Sequence, residues 1–445
     1  MDKEISCELK GKKVLIFGLG VEGKSLVRYL IKKHPSDILI FDQSDKISQT
    51  EFLGYQIIKS SELAKDFKAD IVFRSPGVKI STVRDIFGKT EISSATNIFM
   101  SNVRGTTIGV TGTKGKSTTV NLLKAILVSN KKEVFLGGNI GNSPLDFVDE
   151  TTDHSFTILE LSSFQLQDLK FKPQVAIFLP VTTDHLNYHE TLKEYIEAKK
   201  SLVSDSNHGQ IVIAPEDQQN LIDLAAGIKI TYGKPSSSAI CLSYENGFKC
   251  GDRYFSTNLK ELSKRLKIPE VNLACSLAFC FALNLDFESD CVDENFQKPN
   301  FRMQKVVTRE DIDFYNDSAS TNPLSVIEAV KLMDKDFVLI CGGSSKGLSY
   351  KQMGYEISKS PFLKKVYVIG ETGRDISNAL LDAGYDGDFI ISADSVDDAL
   401  RQILQNHNGI EAILFSSGSA SFDQFKNYCE RGKYFNKLVD KWPNI

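Results

Sequence analysis

The stretch GVTGTKGKST, residues 109–118, contains the residue types of a phosphate-binding loop. Its glycines would let backbone N–H groups approach an anion. A lysine and a hydroxyl then open a helix-like run, where they could meet a β/γ-phosphate and Mg²⁺. The common template needs glycine at position 110, where this chain has valine. A plain surface turn is the alternative, but the order of strand, glycines, Lys-Ser and helix favours ATP. The loop residues predicted to bind ATP are Gly112, Thr113, Lys114, Gly115, Lys116, Ser117 and Thr118.

A second glycine motif, GLGVEG at 18–23, follows an apolar strand and opens a helix. Asp42 lies about 20 residues further on, as in a dinucleotide-binding fingerprint. The pattern predicts a pyrophosphate near the glycines and a polar nucleotide group near Asp42. UDP satisfies this as well as NAD does, so an NAD-dependent oxidoreductase stays open at this point. Glycines that serve only a tight strand-to-helix turn are the structural alternative.

Three further side chains could take part in phosphate or metal chemistry. Glu160 lies in the apolar run TILELSS, where burial of a lone carboxylate would cost several kcal/mol unless a metal or donor sits beside it. His185 lies in VTTDHLNYH, and an ordinary loop histidine is the alternative there. Lys199 lies in the helical EYIEAKKS, where a lysine is usually a solvated charge.

The elements that must position these residues alternate between strand and helix in three blocks. Apolar strands such as VLIF, TILE and FVLIC are each followed by a helical pattern, which predicts an α/β fold with mostly parallel sheets. A length of 445 residues is suited to three domains, which we predict at residues 1–97, 98–298 and 299–445.

Composition excludes several classes of protein. The net charge of −4 favours neither nucleic acid nor an anionic membrane as a partner, and no apolar run approaches the ~20 residues of a membrane span. The charged start MDKEISCELKGKK does not resemble a signal peptide. Eight cysteines without a CxxC pair are typical of reduced, buried thiols and predict a cytoplasmic location.

Taken together, these motifs resemble the Mur ligase family, whose phosphate loop has the shortened form GTxGK[ST]. The resemblance covers essentially the whole chain, and its most specific part is SASFDQFKNYCERG at 419–432. The supporting motifs, in matching order and spacing, are GLGVEG, SPG at 75–77, GGNIG at 137–141, ELSSFQL at 160–166, TDH at 183–185, NDS at 316–318 and GG at 342–343 ahead of Lys346.

The resemblance implies a fold and a reaction. The expected domains are an N-terminal Rossmann-like UDP-binding domain, a central P-loop-type ATPase and a C-terminal Rossmann-like amino-acid-binding domain. ATP would phosphorylate the carboxyl group of UDP-N-acetylmuramoyl-L-alanine. The amine of D-glutamate would then attack the acyl phosphate in peptidoglycan precursor synthesis. We therefore expect ATP and two Mg²⁺ ions as requirements, a monomer, and no nucleic acid or membrane partner.

It also implies roles for individual residues. Lys116, Glu160, His185 and Lys199 would be catalytic, and Lys199 would carry a carbamate that binds metal. The expected metal ligands are Ser117, Glu160, His185 and Lys199, and further ATP contacts are Asn272, Arg302 and Asp317. The expected UDP-substrate contacts are Gly20, Val21, Glu22, Asp42, Gln43, Ser44, Ser75, Gly77 and Asn139. The expected D-glutamate contacts are Thr321, Lys346, Ser421 and Tyr428.

Several positions depart from the family pattern. They replace cationic, acidic and amide side chains that the family pattern has at these positions. These departures leave open a different acceptor amino acid or a non-catalytic nucleotide-binding relative. The positions are Pro180, Asn187, Tyr188, Val271, Cys275, Phe301 and Ala319.

Overall fold

The computed structural model describes residues 9, 11–33, 37–42, 56–58, 68–182, 188–205, 208–233, 240–244, 247–407 and 409–443. Within these ranges the strands form three sheets, of five, nine and six strands. The described residues pack as two compact units, one within Met1–Leu259 and Val271–Phe296, the other within Lys260–Glu270 and Gln297–Ile445. The first unit contains the five- and nine-stranded sheets and the second contains the six-stranded sheet. The domain boundaries at 97 and 298 stay a prediction.

The five-stranded sheet is entirely parallel, with the order β3-β2-β1-β4-β5. Because the chain leaves β1 in both directions across the sheet, the carboxyl end of β1 is a switch point where ligands commonly bind. The strands are β1 (Lys13–Phe17), β2 (Asp37–Phe41), β3 (Gln56–Ile58), β4 (Ile71–Arg74) and β5 (Glu91–Ser93). The helices are α1 (Val21–Lys33), α2 (Ile80–Phe87) and α3 (Ala95–Asn102).

The nine-stranded sheet has the order β14-β13-β12-β11-β10-β9-β6-β8-β7 and is antiparallel only at one edge, in the β12–β13 and β13–β14 pairs. Its strands are β6 (Thr106–Thr111), β7 (Val134–Gly138), β8 (Phe156–Glu160), β9 (Val175–Phe178), β10 (Ile211–Pro215), β11 (Ile228–Gly233), β12 (Cys241–Tyr244), β13 (Gly247–Cys250) and β14 (Arg253–Phe255). The helices from β6 onward are α4 (Lys116–Ser129), α5 (Ser163–Leu166), α6 (Leu192–Lys200), α7 (Leu259–Leu266), α8 (Glu270–Ala282) and α9 (Ser289–Asn295). The sequence analysis predicted a strand at TILE and a helix-like run opened by Lys116 and Ser117, which correspond to β8 and α4.

The prediction that every cysteine is a reduced thiol is wrong for one pair. Cys241 and Cys250 face each other across the antiparallel β12–β13 pair, with Cα atoms 4.1 Å apart, and form a disulfide. The sequence could not reveal this pairing because the facing register exists only once the hairpin has formed. Cys275, Cys280 and Cys341 are buried free thiols, as predicted.

The six-stranded sheet has the order β15-β16-β20-β17-β18-β19 and is parallel except for the β15–β16 pair. Its strands are β15 (Gln304–Arg309), β16 (Ile312–Asn316), β17 (Phe337–Gly342), β18 (Leu363–Ile369), β19 (Ile390–Ser392) and β20 (Ala412–Phe415). Its helices are α10 (Pro323–Lys331), α11 (Lys351–Ile357), α12 (Gly373–Asp382), α13 (Val396–Gln405) and α14 (Tyr428–Val439). With three mostly parallel sheets and intervening helices, the predicted α/β class is confirmed.

In the part of the chain that the structure describes, no helix is both long and apolar enough to cross a membrane.

A buried ion pair ties the five-stranded sheet to the segment that follows β8. Arg74, the last residue of β4, donates from Nε and Nη2 to the two carboxylate oxygens of Asp168, at 3.2 and 3.1 Å. Its remaining N–H groups reach the backbone oxygens of Pro76, Val78 and Phe164. The Arg74 side chain has no exposed surface, so its charge is satisfied entirely inside the protein. The two sheets also share one apolar core.

Replacing Arg74 with methionine should strongly destabilise the first unit. Asp168 would keep a buried charge without its partner, and breaking a buried pair in this way typically costs about 3–5 kcal/mol. The matched control is Lys170→Met, which breaks the exposed pair between Lys170 and Glu91 (2.8 Å). An exposed pair contributes roughly 0–1 kcal/mol. Denaturant unfolding measures both, and equal losses would show that Arg74 has no special role.

Candidate active site

The phosphate loop is shaped by two glycines whose side-chain positions are blocked. Gly112 has φ +152° and Gly115 has φ +79°, conformations that residues with a Cβ rarely adopt. A Cβ on Gly112 would lie 2.6 Å from Leu179 Cβ, and one on Gly115 would lie 2.6 Å from the amide nitrogen of Asn272. The turn between β6 and α4 therefore requires glycine at both positions. It is followed directly by the N-terminus of α4, where backbone N–H groups and the helix dipole favour an anion.

Asn272 holds this loop in place through hydrogen bonds from its side-chain amide. It lies on α8 and is fully buried, and its amide donates to the Gly115 carbonyl at 2.9 Å and to the Thr119 hydroxyl at 2.7 Å. These bonds fix the conformation of Gly115 directly before the helix. The sequence predicted an ATP contact for Asn272, whereas the bonds found here hold the loop itself.

Lys116 begins α4, and its ammonium group lies against the loop. Nζ donates to the carbonyl oxygens of Gly112 and Thr113, at 2.9 and 3.0 Å. The Thr113 hydroxyl in turn bonds the Thr182 carbonyl and the buried hydroxyl of Tyr195, both at 3.0 Å. The positive charge is thus held at the position where the loop turns into the helix.

Ser117 and Glu160, which the sequence proposed as metal ligands, are in direct contact. The Ser117 hydroxyl donates to Glu160 Oε2 at 2.7 Å, and the Asn139 amide donates to Oε1 at 3.0 Å. Glu160 ends β8 and is buried, so these donors satisfy a carboxylate that would otherwise be unpaired. A hydroxyl and a carboxylate are oxygen ligands of the kind that Mg²⁺ prefers, so the pair fits one magnesium ion. Among the described residues there is no group of three or more His, Cys, Asp or Glu that could hold a metal.

Lys199 lies at the same loop, and its neighbour Lys200 does not. Lys199 is buried and donates from Nζ to the Gly112 carbonyl at 2.9 Å and to the Thr111 hydroxyl at 3.2 Å. Its ammonium also lies 4.7 Å from the centre of the Tyr195 ring. Lys200 instead forms an ion pair with Glu197 on the same helix, at 3.4 Å. The sequence analysis assigned a role to Lys199 only, and that role stays a prediction.

A cavity of about 440 Å³ opens at the glycine turn of the first sheet. Its volume lies in the usual range for ligand sites. Six of the nine predicted UDP contacts line it. The described lining residues are Gly18, Gly20, Val21, Glu22, Ser75, Pro76, Gly77, Val78, Gly138, Asn139, Gly141 and Ser143. Because Asn139 also binds Glu160, this cavity and the phosphate loop are neighbours joined by one side chain.

The glycine turn itself is closed by side-chain bonds. Asp42 accepts the Leu19 N–H at 2.6 Å, and the Ser75 hydroxyl donates to the Gly18 carbonyl at 2.6 Å. A Cβ on Gly23 would lie 2.1 Å from that same Gly18 carbonyl, so only glycine fits there. Asp42, predicted to meet the nucleotide, thus already has a structural bond in this turn.

Asp317 and Arg302, predicted ATP contacts, belong to the second unit. Asp317 accepts the Met303 N–H at 3.0 Å and the Ser416 hydroxyl at 2.6 Å, and it is buried. Burial raises the pKa of the Asp317 carboxyl, and the Arg302 guanidinium opposes that rise. These bonds fix the start of β15 beside Arg302, and their relation to ATP stays a prediction.

The four predicted amino-acid contacts all follow carboxyl ends of strands in the third sheet or begin the last helix. Thr321 follows β16, Lys346 follows β17, Ser421 follows β20 and Tyr428 begins α14. The loops that carry Lys346 and Ser421 are bonded, because Ser344 N–H donates to the Ala420 carbonyl at 3.0 Å. The sheet therefore gathers these positions at one edge.

Arg431 organises that edge, and the sequence analysis did not assign it a role. It is buried on α14 and donates to backbone oxygens of Ser318, Ser419 and Ala420 and to the hydroxyls of Ser318 and Ser417. Burial lowers the pKa of Arg431 to about 10, with Asp423 acting in the opposite direction. The guanidinium thus holds the residue 417–420 loop, next to Ser421, through uncharged acceptors. The sequence signal that could have identified Arg431 is its position within the SASFDQFKNYCERG motif.

Some residues named in the sequence analysis lie outside the described ranges, and two departures from the family pattern can be placed in the structure. His185, Asn187, Gln43 and Ser44 lie outside the described ranges. Tyr188, a departure from the family pattern, donates to the Pro76 and Val78 carbonyls and receives a bond from Arg74 at 3.3 Å. Phe301, another departure, is buried against Gly432 of α14. Both departures therefore have packing roles here.

Comparisons with known proteins agree with this geometry. Residues 110–272 match the Mur ligase middle domain. The UDP-N-acetylmuramoylalanine–D-glutamate ligase of Caldicellulosiruptor bescii is 28% identical over 469 residues, covering 98% of this chain and 98% of the relative. The protein of the same name from Caldicellulosiruptor saccharolyticus is 30% identical, covering 98% of this chain and 100% of the relative.

Solved structures show the same fold. The MurF ligase from Thermotoga maritima in complex with ADP has a TM-score of 0.57 at 18% identity, covering 98% of this chain and 97% of that one. The similarity to the Caldicellulosiruptor saccharolyticus protein extends over nearly the whole chain at 30% identity. The segment that matches the middle-domain model contains both Ser117 and Glu160. This chain belongs to the Mur ligase family, a family of ATP-dependent amide-bond ligases of peptidoglycan precursor synthesis.

Proposed function

We propose that this chain joins D-glutamate to UDP-N-acetylmuramoyl-L-alanine, with ATP converted to ADP and phosphate. One observation carries the proposal: Asn139 lines the first cavity and also binds Glu160, which binds Ser117 of the phosphate loop. An acyl donor anchored by its diphosphate in that cavity would therefore lie next to the residues that handle the phosphates of ATP.

The choice of D-glutamate among possible amino acids has separate support. Both curated relatives described above carry that amino acid in their names, and each aligns with nearly the whole chain. The SASFDQFKNYCERG motif forms the β20–α14 connection and the start of α14, the edge where Arg431 and the Ser421 loop lie. A dicarboxylate needs cationic and hydroxyl partners, and we propose Thr321, Lys346, Ser421 and Tyr428 for this role.

The reaction requires an activated carboxyl group because a carboxylate is a poor electrophile. A carboxylate oxygen of the alanyl group attacks the γ-phosphorus of ATP, the bond to the bridging oxygen of ADP breaks, and an acyl phosphate forms. The neutral amine of D-glutamate then attacks the acyl carbon, phosphate leaves, and the amine loses a proton. Both steps bring anions together, so positioned positive charge supplies most of the catalysis.

We assign roles to the loop residues on this basis. Lys116 lies at the turn into α4, where its ammonium can leave the loop carbonyls and pair with β- and γ-phosphate oxygens. Ser117 and Glu160 would hold a Mg²⁺ ion, which would neutralise charge on the same phosphates. The N–H groups at the start of α4 would bind the remaining phosphate oxygens.

For Lys199 we propose the carbamate that the family resemblance implies. Its neutral amine would combine with CO₂ and lose a proton, which converts the cation into a carboxylate-like ligand for a second Mg²⁺ together with His185. Burial beside Gly112 brings the Lys199 side chain to the loop, as this role needs. The competing hypothesis is an ammonium that supports the loop through its bonds to Thr111 and Gly112.

Phosphate release from ATP should require UDP-N-acetylmuramoyl-L-alanine, D-glutamate and Mg²⁺ together. The acyl phosphate needs the first substrate and Mg²⁺, and phosphate leaves it only when the amine of D-glutamate attacks. A coupled phosphate assay with each component omitted in turn measures this. Product with another amino acid, and none with D-glutamate, would contradict the substrate while leaving the ligase class intact. ATP turnover independent of both substrates would contradict the reaction.

Replacing Lys116 with alanine should lower the turnover rate about a hundredfold, since a charge-assisted contact to a transferring phosphoryl group contributes roughly 3 kcal/mol. The control is Lys114→Ala in the same loop, which removes an equal charge from a position that precedes the helix. Steady-state kinetics measures both variants. Equal losses would show that the loop carries its charge in another way.

Lys199→Ala should lose activity without unfolding, since a helix accepts alanine well. Added acetate should then restore part of the activity, because it can supply oxygen ligands in the vacated space. Lys199→Arg should stay inactive because a guanidinium offers no metal-binding oxygen. Lys200→Ala is the neighbouring control and should keep normal turnover. Full activity of Lys199→Arg without acetate would favour the loop-supporting ammonium instead.

A further inference from the structure

The cavity at the glycine turn has an unusual charge for an anion site. Among the described residues that line it, Glu22 is the only ionisable one, and there is no lysine or arginine. The N-terminus of α1 supplies N–H groups and a partial positive charge for a diphosphate. An ionised Glu22 at the second position of that helix would oppose the same ligand by like-charge repulsion. The protonation state of Glu22 therefore matters for binding.

The hydrogen bonds around Glu22 specify where a proton can sit. Gln165 donates from Nε2 to Glu22 Oε1 at 2.7 Å. This amide cannot be reversed, because its own Oε1 already accepts the Ser162 N–H at 2.8 Å in a helix-capping arrangement. Glu22 Oε1 is thus an acceptor. The other oxygen, Oε2, is buried and has no hydrogen-bond partner among the described residues, so it is the atom that can carry a proton.

The surrounding charges do not stabilise an ionised Glu22. The charge of Arg74 favours the ionised form, but both carboxylate oxygens of Asp168 bind that guanidinium and offset its charge. On the far side of Asn139 lies Glu160, another acid. Burial raises the pKa of Glu22 from 4.5 to about 7, and the Gln165 bond and the Arg74 charge only partly oppose this rise. The carboxyl group therefore titrates near neutrality.

We propose that Glu22 carries a proton on Oε2 whenever the diphosphate of the UDP-sugar substrate occupies the cavity, so that substrate binding takes up a proton. The neutral acid removes the repulsion between Glu22 and the diphosphate. Glu22 is thus a positioning and specificity residue that favours binding of the anionic substrate in its protonated form. This inference rests on the proposed function, because it takes the ligand to be UDP-N-acetylmuramoyl-L-alanine.

The test is calorimetric binding of UDP-N-acetylmuramoyl-L-alanine to the full chain, without ATP or Mg²⁺, between about pH 6 and about pH 8. The diphosphate diester does not titrate in this range, so the protein supplies the pH dependence. If only the protonated form binds, affinity should fall roughly tenfold over this interval, following the protonated fraction. Titrations in two buffers of different ionisation enthalpy should show uptake of about half a proton near pH 7.

Variants separate this effect from other causes. Glu22→Gln keeps an amide donor without a titrating group, so its affinity should match the wild type near pH 6 and change less than about twofold up to pH 8. The control Asp85→Asn removes one acid from the exposed surface of α2 and should keep the full pH dependence. The wild-type proton uptake needs no variant, so a misfolded Glu22→Gln would still leave a decisive measurement.

The possible results have distinct meanings. Tight wild-type binding that is constant with pH, tighter binding at higher pH, or an unchanged tenfold loss in Glu22→Gln would each overturn the role of Glu22 and leave the proposed function standing. Absence of binding even near pH 6 would overturn the proposed substrate and this inference with it. Proton uptake in the wild type that disappears in Glu22→Gln would support the proposal.

Discussion

The parallel pairing of β6 with β8 on one side and β9 on the other is the constraint on which the candidate site depends. The register aligns Val110 with Glu160 of β8 and with Ile177 of β9. Because parallel strands end at one edge, Glu160 is brought beside the loop that follows β6, and Ser117 reaches it across 2.7 Å. Leu179 after β9 closes the other side and leaves room only for glycine at position 112. The shortened loop therefore depends on neighbours that arrive from distant parts of the chain.

The nine residues from Glu160, the last residue of β8, to Asp168 join the phosphate loop to the cavity of the first sheet. Glu160 binds Ser117 and Asn139, and Gln165 binds Glu22. Asp168 binds Arg74 at the end of β4. These contacts are short and largely buried, so a shift in this segment would be felt at both sites. The cavity of the first sheet, the phosphate loop and the Arg74–Asp168 pair therefore share one connecting segment.

The second unit also contains a buried arginine, but this one has no carboxylate among its described hydrogen-bond partners. Arg431 is buried among backbone carbonyls and serine hydroxyls, and its direct hydrogen bonds all go to uncharged groups. A buried cation paired this way fixes loop geometry while keeping net positive charge near the strand ends. Asp317 is likewise bonded internally, to Met303 and Ser416. In both units, ionisable groups near the proposed sites are hydrogen-bonded within the protein itself.

The sequence by itself determined the α/β class, the phosphate loop and the family. Strand-to-helix alternation is a local pattern, and Gly-Lys-Ser at a helix start has local chemistry, so both can be read along the chain. It also identified Ser117, Glu160 and Lys199, which the structure brings to one loop. Asn272 was predicted to contact ATP, which stays a prediction, and its bonds to Gly115 and Thr119 were not foreseen.

Only the tertiary structure determined which buried side chains form ion pairs, hydrogen bonds and disulfides with one another. The Arg74–Asp168 pair, the Gln165–Glu22 bond and the Cys241–Cys250 disulfide join residues whose spacing carries no signal, because each needs two folded elements to meet. The raised pKa of Glu22 has the same origin, since burial and neighbouring charges are properties of the assembled cavity. Local patterns specify elements and loop chemistry. The protonation and pairing of buried groups depend on the three-dimensional packing that the sequence reaches only after folding.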